Sequence, residues 1–287
     1  DALPILYDIA RNTGAYLIEQ LGVDRTPVAV FAGRKMVTPA YFLGVVYAGR
    51  PYAPIDASLP DKRIEKILEN LCPRAIVADR ESLEHVESIV DELAKAEGFD
   101  RPQIFIAEDI SRFEQVACAD SDCKISESAG DDVTDSENDM LATVRRHMSM
   151  TDPLYIIYTS GSTGNPKGVM TSHLSLMTYI NAYCDVMHIE ESDVLGNQSP
   201  LDYIAAIRDI YLPLKTGCST AIIPKEYFME PNALFDYMND KKVSSVGWSV
   251  SAFTILTSLG AFEEVGLKSL RKICFSGSVM PCRVLRK

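Results

Sequence analysis

The sequence predicts an α/β protein with largely parallel sheets covered by helices. Three observations carry this. Short apolar, β-branched runs recur along the chain. Longer helix-like segments fall between them, and strand–helix alternation of this kind is the pattern of parallel sheets with helices on both faces. The chain has 287 residues and is 47% hydrophobic, enough to build a sizeable core.

The elements follow in order. A helix over Leu6 to Leu21 precedes the strand-like run Val28-Ala29-Val30-Phe31. Helix-like Pro39 to Tyr47 and Asp61 to Asn70 come next, then the strand Ala75-Ile76-Val77-Ala78. Ser82 to Lys95 reads as a helix and Ile104-Phe105-Ile106 as a strand. The strand Leu154 to Tyr158 leads to helical Leu174 to Met187 and Ala205 to Leu214. Strand Thr220-Ala221-Ile222-Ile223, helix Pro231 to Met238, strand Val243 to Trp248, helix Ala252 to Leu259 and strand Ile273-Cys274-Phe275 complete the chain. The span 107–152 divides a first α/β subdomain (1–150) from a second (151–287) that opens on the Leu154 strand.

Composition excludes several classes. Net charge is −12, which argues against a partner held through nucleic-acid phosphates. Eight acidic residues against Lys124 put −7 of that charge between Asp120 and Asp139. This acidic loop near 119–139 reads as a solvated segment. Cys72, Cys118, Cys123, Cys184, Cys218, Cys274 and Cys282 form no C-x-x-C pair. They fit reduced thiols in a cytoplasmic protein better than a disulfide framework, and no protein-ligated metal site is expected. No run of eighteen apolar residues is present, so no membrane partner is expected.

The most informative run is Tyr158-Thr159-Ser160-Gly161-Ser162-Thr163-Gly164-Asn165-Pro166-Lys167-Gly168-Val169. Glycines let a backbone approach a polyphosphate, turned N–H groups form an anion-binding concavity, hydroxyls donate and a lysine supplies charge. It is not a Walker loop, which needs G-x-x-x-x-G-K-[ST] with a helix starting there. Pro166 disfavours a helix beginning at Lys167. The lysine is therefore expected in a turn or on a second strand around Gly168-Val169-Met170.

With that order of residues, the run resembles the signature loop of adenylate-forming (AMP-binding) enzymes: acyl-CoA synthetases, luciferases and nonribosomal peptide synthetase adenylation domains. A second segment agrees. Leu43 to Asp56, continuing to Pro60 and Arg63-Ile64, is similar to the early "KAGGAYVPLDP" motif of the peptide-synthetase branch. The resemblance covers nearly the whole chain. It implies two packed α/β subdomains of an incomplete large N-terminal domain, with the small C-terminal domain absent.

The resemblance also implies a reaction. A carboxylic acid, an amino acid or a related acid, attacks the α-phosphate of ATP, giving an acyl-adenylate that passes to the phosphopantetheine thiol of an acyl or peptidyl carrier protein. Thr159, Ser160, Gly161, Ser162, Thr163, Gly164 and Lys167 would clamp the triphosphate, with Mg²⁺ bridging phosphate oxygens. Lys167 would have an assisting catalytic role. Gly277 and Ser278, in Phe275-Ser276-Gly277-Ser278-Val279-Met280-Pro281, would approach the adenine. His173 is read as a helix-end residue beside the loop, and Asp56 and Arg63 as structural.

For the acid pocket, Asn197 to Leu214 resembles the "QAPFSFDLSVMDIYPSL" segment of D-alanine–carrier-protein ligases. Tyr203 falls at the gating aromatic, and Ile204 at the aspartate that pairs with an α-ammonium. Isoleucine cannot make that pair. Either the substrate lacks an α-amino group, Asp202 takes the role, or the site is degenerate; the first reading is favoured. Arg208, four residues after Ile204, is expected on the same helix face, where it meets a second carboxylate or a keto oxygen, or simply an acidic neighbour. Trp248, Cys274 and Ser276 are expected to line the pocket by the same resemblance. This stretch of chain is expected to be inactive alone. An acyl-CoA ligase and a non-catalytic adenylation-like scaffold stay open as alternatives.

Overall fold

The computed structural model describes residues 2–113, 140–160, 164–264 and 266–286. It divides into two compact units, Asp1–His173 and Leu174–Lys287. The expected acidic loop near 119–139 lies outside the described residues, as do Gly161, Ser162 and Thr163.

The first unit is built from α1 (Ala2–Leu21), β1 (Val28–Phe31), α2 (Thr38–Tyr47), β2 (Tyr52–Pro54), α3 (Asp61–Leu71), β3 (Ala75–Ala78), α4 (Leu83–Leu93), β4 (Gln103–Ile106), α5 (Ala107–Ile110), α6 (Met140–His147), β5 (Pro153–Ser160) and β6 (Pro166–Ser172). Its strands form one sheet in the order β4-β3-β1-β2-β5-β6. Every neighbouring pair is parallel except β5 with β6. β1, β2 and β3 are buried throughout, as parallel strands covered on both faces must be. On one face, Ile64, Ile67 and Leu68 of α3 and Val86 and Val90 of α4 pack against Ala29, Ala53 and Ile76. On the other face Tyr52 points away from its neighbour Ala53, and its ring stacks on Phe42 of α2 at 4.7 Å.

The early motif has a structural explanation. Gly44 lets α2 lie against α1: an added Cβ would sit 2.5 Å from the Thr13 side chain. Arg50 is 1% exposed and ties the end of α1 to the start of β1. It donates to the carbonyls of Leu21 at 3.2 Å and Gly22 at 3.0 Å, and to Asp24 and Thr26. Asp56 makes the expected turn, its carboxylate accepting from the Ser58 N–H at 2.8 Å. Gly44→Val is expected to overpack the α1–α2 contact and lower the unfolding free energy by about 1–3 kcal/mol. Denaturant titration of the single variant checks this.

The hairpin β5–β6 joins the first sheet through Tyr52↔Tyr155. The boundary expected at 150/151 therefore moves to His173/Leu174. The reason is non-local: pairing with β2 assigns the Leu154 strand to the first sheet. β2 and α6 were not anticipated as elements.

The second unit contains most of α7 (His173–Met187), then β7 (Val194–Asn197), α8 (Ile207–Thr216), β8 (Ser219–Ile222), α9 (Pro231–Asp240), β9 (Ser245–Ser249), α10 (Val250–Ser258), α11 (Ala261–Glu264), β10 (Lys272–Ser276) and α12 (Cys282–Leu285). Its four-stranded sheet runs β10-β9-β7-β8 and is parallel throughout. One face is closed by Leu234, Phe235 and Met238 of α9 and Phe253 and Leu256 of α10, packed on Val246 and Trp248. Both units are mixed α/β with helices flanking parallel strands, as the alternation predicts.

Two cations and a hydroxyl gather on Asp193, just before β7. The carboxylate is fully buried and takes Lys272 at 2.6 Å, Arg271 at 2.8 Å and the Ser244 hydroxyl at 2.7 Å. Burial works against its ionisation, yet these hydrogen bonds win and hold its pKa far below the ordinary carboxylate value. Among the described residues Cys72, Cys184, Cys218, Cys274 and Cys282 are free thiols, and no helix is long and apolar enough to cross a membrane.

Candidate active site

The candidate phosphate loop caps the β5–β6 hairpin of the first unit. Pro166 opens β6, a position where its missing N–H is tolerated. Lys167 therefore lies on a strand, directly opposite Thr159, with Ser160 opposite Pro166. The Thr159 hydroxyl donates to the Lys167 carbonyl at 3.4 Å. Lys167 and Thr159 are exposed, so cation and hydroxyl are both open to a ligand. Gly164 has φ +79° with open space around its Cα, a left-handed turn that glycine makes without strain. Next to it, Asn165 accepts from Lys66 of α3 at 3.0 Å, which ties the far side of the loop to the sheet's helical layer.

The hairpin stem is anchored from below. Tyr158 donates to Asn70 of α3 at 2.8 Å, and burial pushes its phenol up to about 12, so it stays a neutral donor at physiological pH. His173 starts α7 and its N–H donates to the Asp152 carbonyl at 3.2 Å. Burial lowers its pKa, against the opposing pull of the Asp152 carboxylate. Its Nε2 is shielded and without a hydrogen-bond partner. This agrees with a packed, neutral helix-end histidine.

The second unit carries the residues expected at the acid. Arg208 is on α8 and only 5% exposed. Its Nε lies 3.2 Å from Asp209, its guanidinium sits 5.9 Å from the Tyr183 ring centroid, and the Tyr179 hydroxyl bonds it. Gly247 of β9 makes the room: an added Cβ would fall 2.4–2.6 Å from the guanidinium atoms. Cys274 pairs with Gly247 in register, on the same face of the sheet. Asp209 in turn accepts from Asn197 at 2.9 Å.

Several expectations need correction. Ile204 and Arg208 do not share a helix face. Ile204 begins a 3-10 turn and is 48% exposed, whereas α8 starts only at Ile207 and buries Arg208. Tyr203 is likewise exposed. Trp248 is core rather than pocket wall. It faces the opposite side of β9 from Gly247, packs on Phe228 and Phe253, and donates from Nε1 to the Gly196 carbonyl at 2.8 Å. Ser276 and Ser278 are exposed at the end of β10, and Gly277 between them has φ +98°. Tyr179, Tyr183 and Gly247 were missed. A glycine inside a β-branched and aromatic strand is the available signal, because it marks a close approach by another group.

The AMP-binding enzyme family matches residues 5–287. The chain belongs to this family. A D-alanine–D-alanyl carrier protein ligase of Bacillus cereus strain AH187 is 27% identical over 265 residues, 92% of this chain and 46% of the relative. The chain thus spans about half the length of the curated relatives it matches. Among solved structures, a four-domain nonribosomal peptide synthetase bound to AMP and glycine aligns with a TM-score of 0.70 and 21% identity, over 96% of this chain and 17% of that one. ATP-bound MatB from Rhodopseudomonas palustris aligns with a TM-score of 0.72 and 17% identity, over 97% and 50%. These structures share this chain's fold, and the curated relatives are named as ligases.

Proposed function

We propose that this chain supplies the phosphate-binding and acid-reading parts of an acid–thiol ligase. The ligase activates a small carboxylic acid as its acyl-adenylate and passes the acyl group to a carrier-protein thiol. The observation that carries the reading is the β5–β6 hairpin, which sets Thr159 and Lys167 opposite each other beside a positive-φ glycine, in a chain of the AMP-binding family.

In the first step a carboxylate oxygen attacks the α-phosphorus of ATP. One P–O bond forms, the bond to the β-phosphate bridging oxygen breaks, and pyrophosphate leaves. A thiol then attacks the acyl carbon and AMP leaves. Little covalent chemistry falls to the protein, which holds charge and positions reactants. Thr159, Ser160 and the loop backbone would bind phosphate oxygens, with Gly161, Ser162 and Thr163 completing the clamp. Lys167 would offset negative charge, and Gly277 and Ser278 would adjoin the adenine. The chain's donors here are hydroxyls, amides and a lysine, and among the described residues no group of three His, Cys, Asp or Glu side chains could hold an ion. This donor set fits Mg²⁺ that arrives on the nucleotide through phosphate oxygens. When bound, Mg²⁺ neutralises the developing phosphate charge.

ATP·Mg²⁺ is expected to raise the melting temperature in proportion to the logarithm of its concentration once it exceeds Kd, by mass action on the folded state. A melting temperature unmoved by millimolar ATP·Mg²⁺ favours a non-catalytic scaffold instead.

A further inference from the structure

The guanidinium of Arg208 is over-supplied with donors for its surroundings. The residue is 5% exposed, yet its Nη2 has no hydrogen-bond partner and its Nε has only the ion-pair contact with Asp209. Buried polar groups are rarely left so, because each costs its desolvation without return. The space is built for the group: Gly247 gives up a side chain so that the guanidinium can lie against β9. Tyr179 touches it and is itself 42% exposed.

Charge decides what can fill this corner. Arg208 already has one carboxylate beside it, Asp209 at 3.2 Å, and Asp209 is also engaged by Asn197. The buried pair is balanced. An ammonium brought next to the guanidinium meets a like charge, and the nearby carboxylate is committed. A second carboxylate would leave a net negative buried set, which is costly without a further cation. A neutral oxygen acceptor satisfies the N–H groups and keeps the balance. An alkyl chain leaves them unpaired.

We infer that Arg208 selects an acid whose second polar group is a neutral carbonyl oxygen, a keto acid, over α-amino acids and dicarboxylates. This rests on the reading that the second unit receives the acid of the ligase reaction. Arg208 and Gly247 then form a complementary pair: the arginine reads the carbonyl and the glycine leaves room for it.

The test is acid-dependent ATP–pyrophosphate exchange by the full-length protein with size-matched acids. Pyruvate, acetoacetate and levulinate are compared with propionate, butyrate and pentanoate, and with alanine and malonate. At least one keto acid is expected to exceed its alkyl counterpart by about 10- to 100-fold in kcat/KM, the worth of a charge-assisted hydrogen bond to a buried group. Arg208→Met is expected to bring that ratio to near one. If that variant does not fold, Gly247→Ala, which displaces the guanidinium, is expected to lower the same ratio, and the wild-type panel decides by itself. Alanine or malonate preferred over every keto acid, or alkyl acids equal to keto acids, overturns the inference while leaving the ligase reading intact. No exchange with any acid, in protein still stabilised by ATP·Mg²⁺, overturns the ligase reading itself.

Discussion

Asp193→Ala is expected to lower the unfolding free energy at pH 7 by about 3–5 kcal/mol, the usual cost of removing one partner from a buried ion pair. Asp193 is fully buried, and Lys272, facing it at 2.6 Å, is only 17% exposed. Without the carboxylate that ammonium loses its counter-charge and keeps only the His188 carbonyl, the Ser244 hydroxyl loses its acceptor, and the Glu190 N–H loses another. The start of β7 and the start of β10 are joined through this one side chain. Asp193→Asn keeps the shape and part of the hydrogen bonding and is expected to cost less. Chemical denaturation of the two variants beside the parent measures both effects.

The same group sets a pH dependence. Its folded pKa lies below the unfolded value of 3.8. A depressed carboxylate contributes stability that is fully present above the unfolded pKa and is lost as pH falls through the folded one. The contribution is therefore expected to be flat from neutral pH down to about pH 5 and to fall below about pH 4. In Asp193→Asn that acid-limb loss is expected to shrink. Urea midpoints measured across that range would show it, and an unchanged acid limb in the variant would mean that Asp193 does not control it.

The largest functional effect is expected at the hairpin. Thr159→Val with Lys167→Met removes a hydroxyl and a cation from opposed strand positions. Both are exposed, and among the described residues the Thr159 hydroxyl makes one long bond, at 3.4 Å to the Lys167 carbonyl. Valine suits a strand, so the melting temperature should barely move. Donors aimed at developing charge are worth about 10²- to 10³-fold in rate, and exchange activity is expected to drop by that order. A large loss of activity at unchanged stability identifies a ligand-binding role. Equal losses in both would point to a folding defect.

Much of this was legible in the sequence, and the exceptions share a cause. β1, β3 and β4 are short β-branched runs, and α3 and α9 carry clear amphipathic patterns, so local chemistry sufficed. β7 escaped because Leu195-Gly196-Asn197 carries a glycine and a polar residue where a strand pattern expects apolar ones. Gly196 is there because Val243 and Val246 crowd it, an added Cβ lying 2.9 Å from Val243. The unit boundary escaped because Tyr52↔Tyr155 pairing is a long-range event that no local window reports. The loop's chemistry was readable because every group in it is contiguous. The surroundings of Arg208 were not, because they come from α7, β9 and β10, and the deciding residue, Gly247, acts by what it lacks. Alternation along β9 already places Gly247 and Trp248 on opposite faces, which is why the tryptophan is core and the glycine adjoins the arginine.

The most direct measurement of the central claim is ATP–pyrophosphate exchange by the full-length protein with and without a panel of carboxylic acids. Exchange that rises well above the acid-free baseline for a restricted set of acids, and collapses in the Thr159→Val, Lys167→Met variant, is expected of an acid-activating ligase. Exchange that stays at the acid-free baseline for every acid, or that persists undiminished in the hairpin variant, would contradict it.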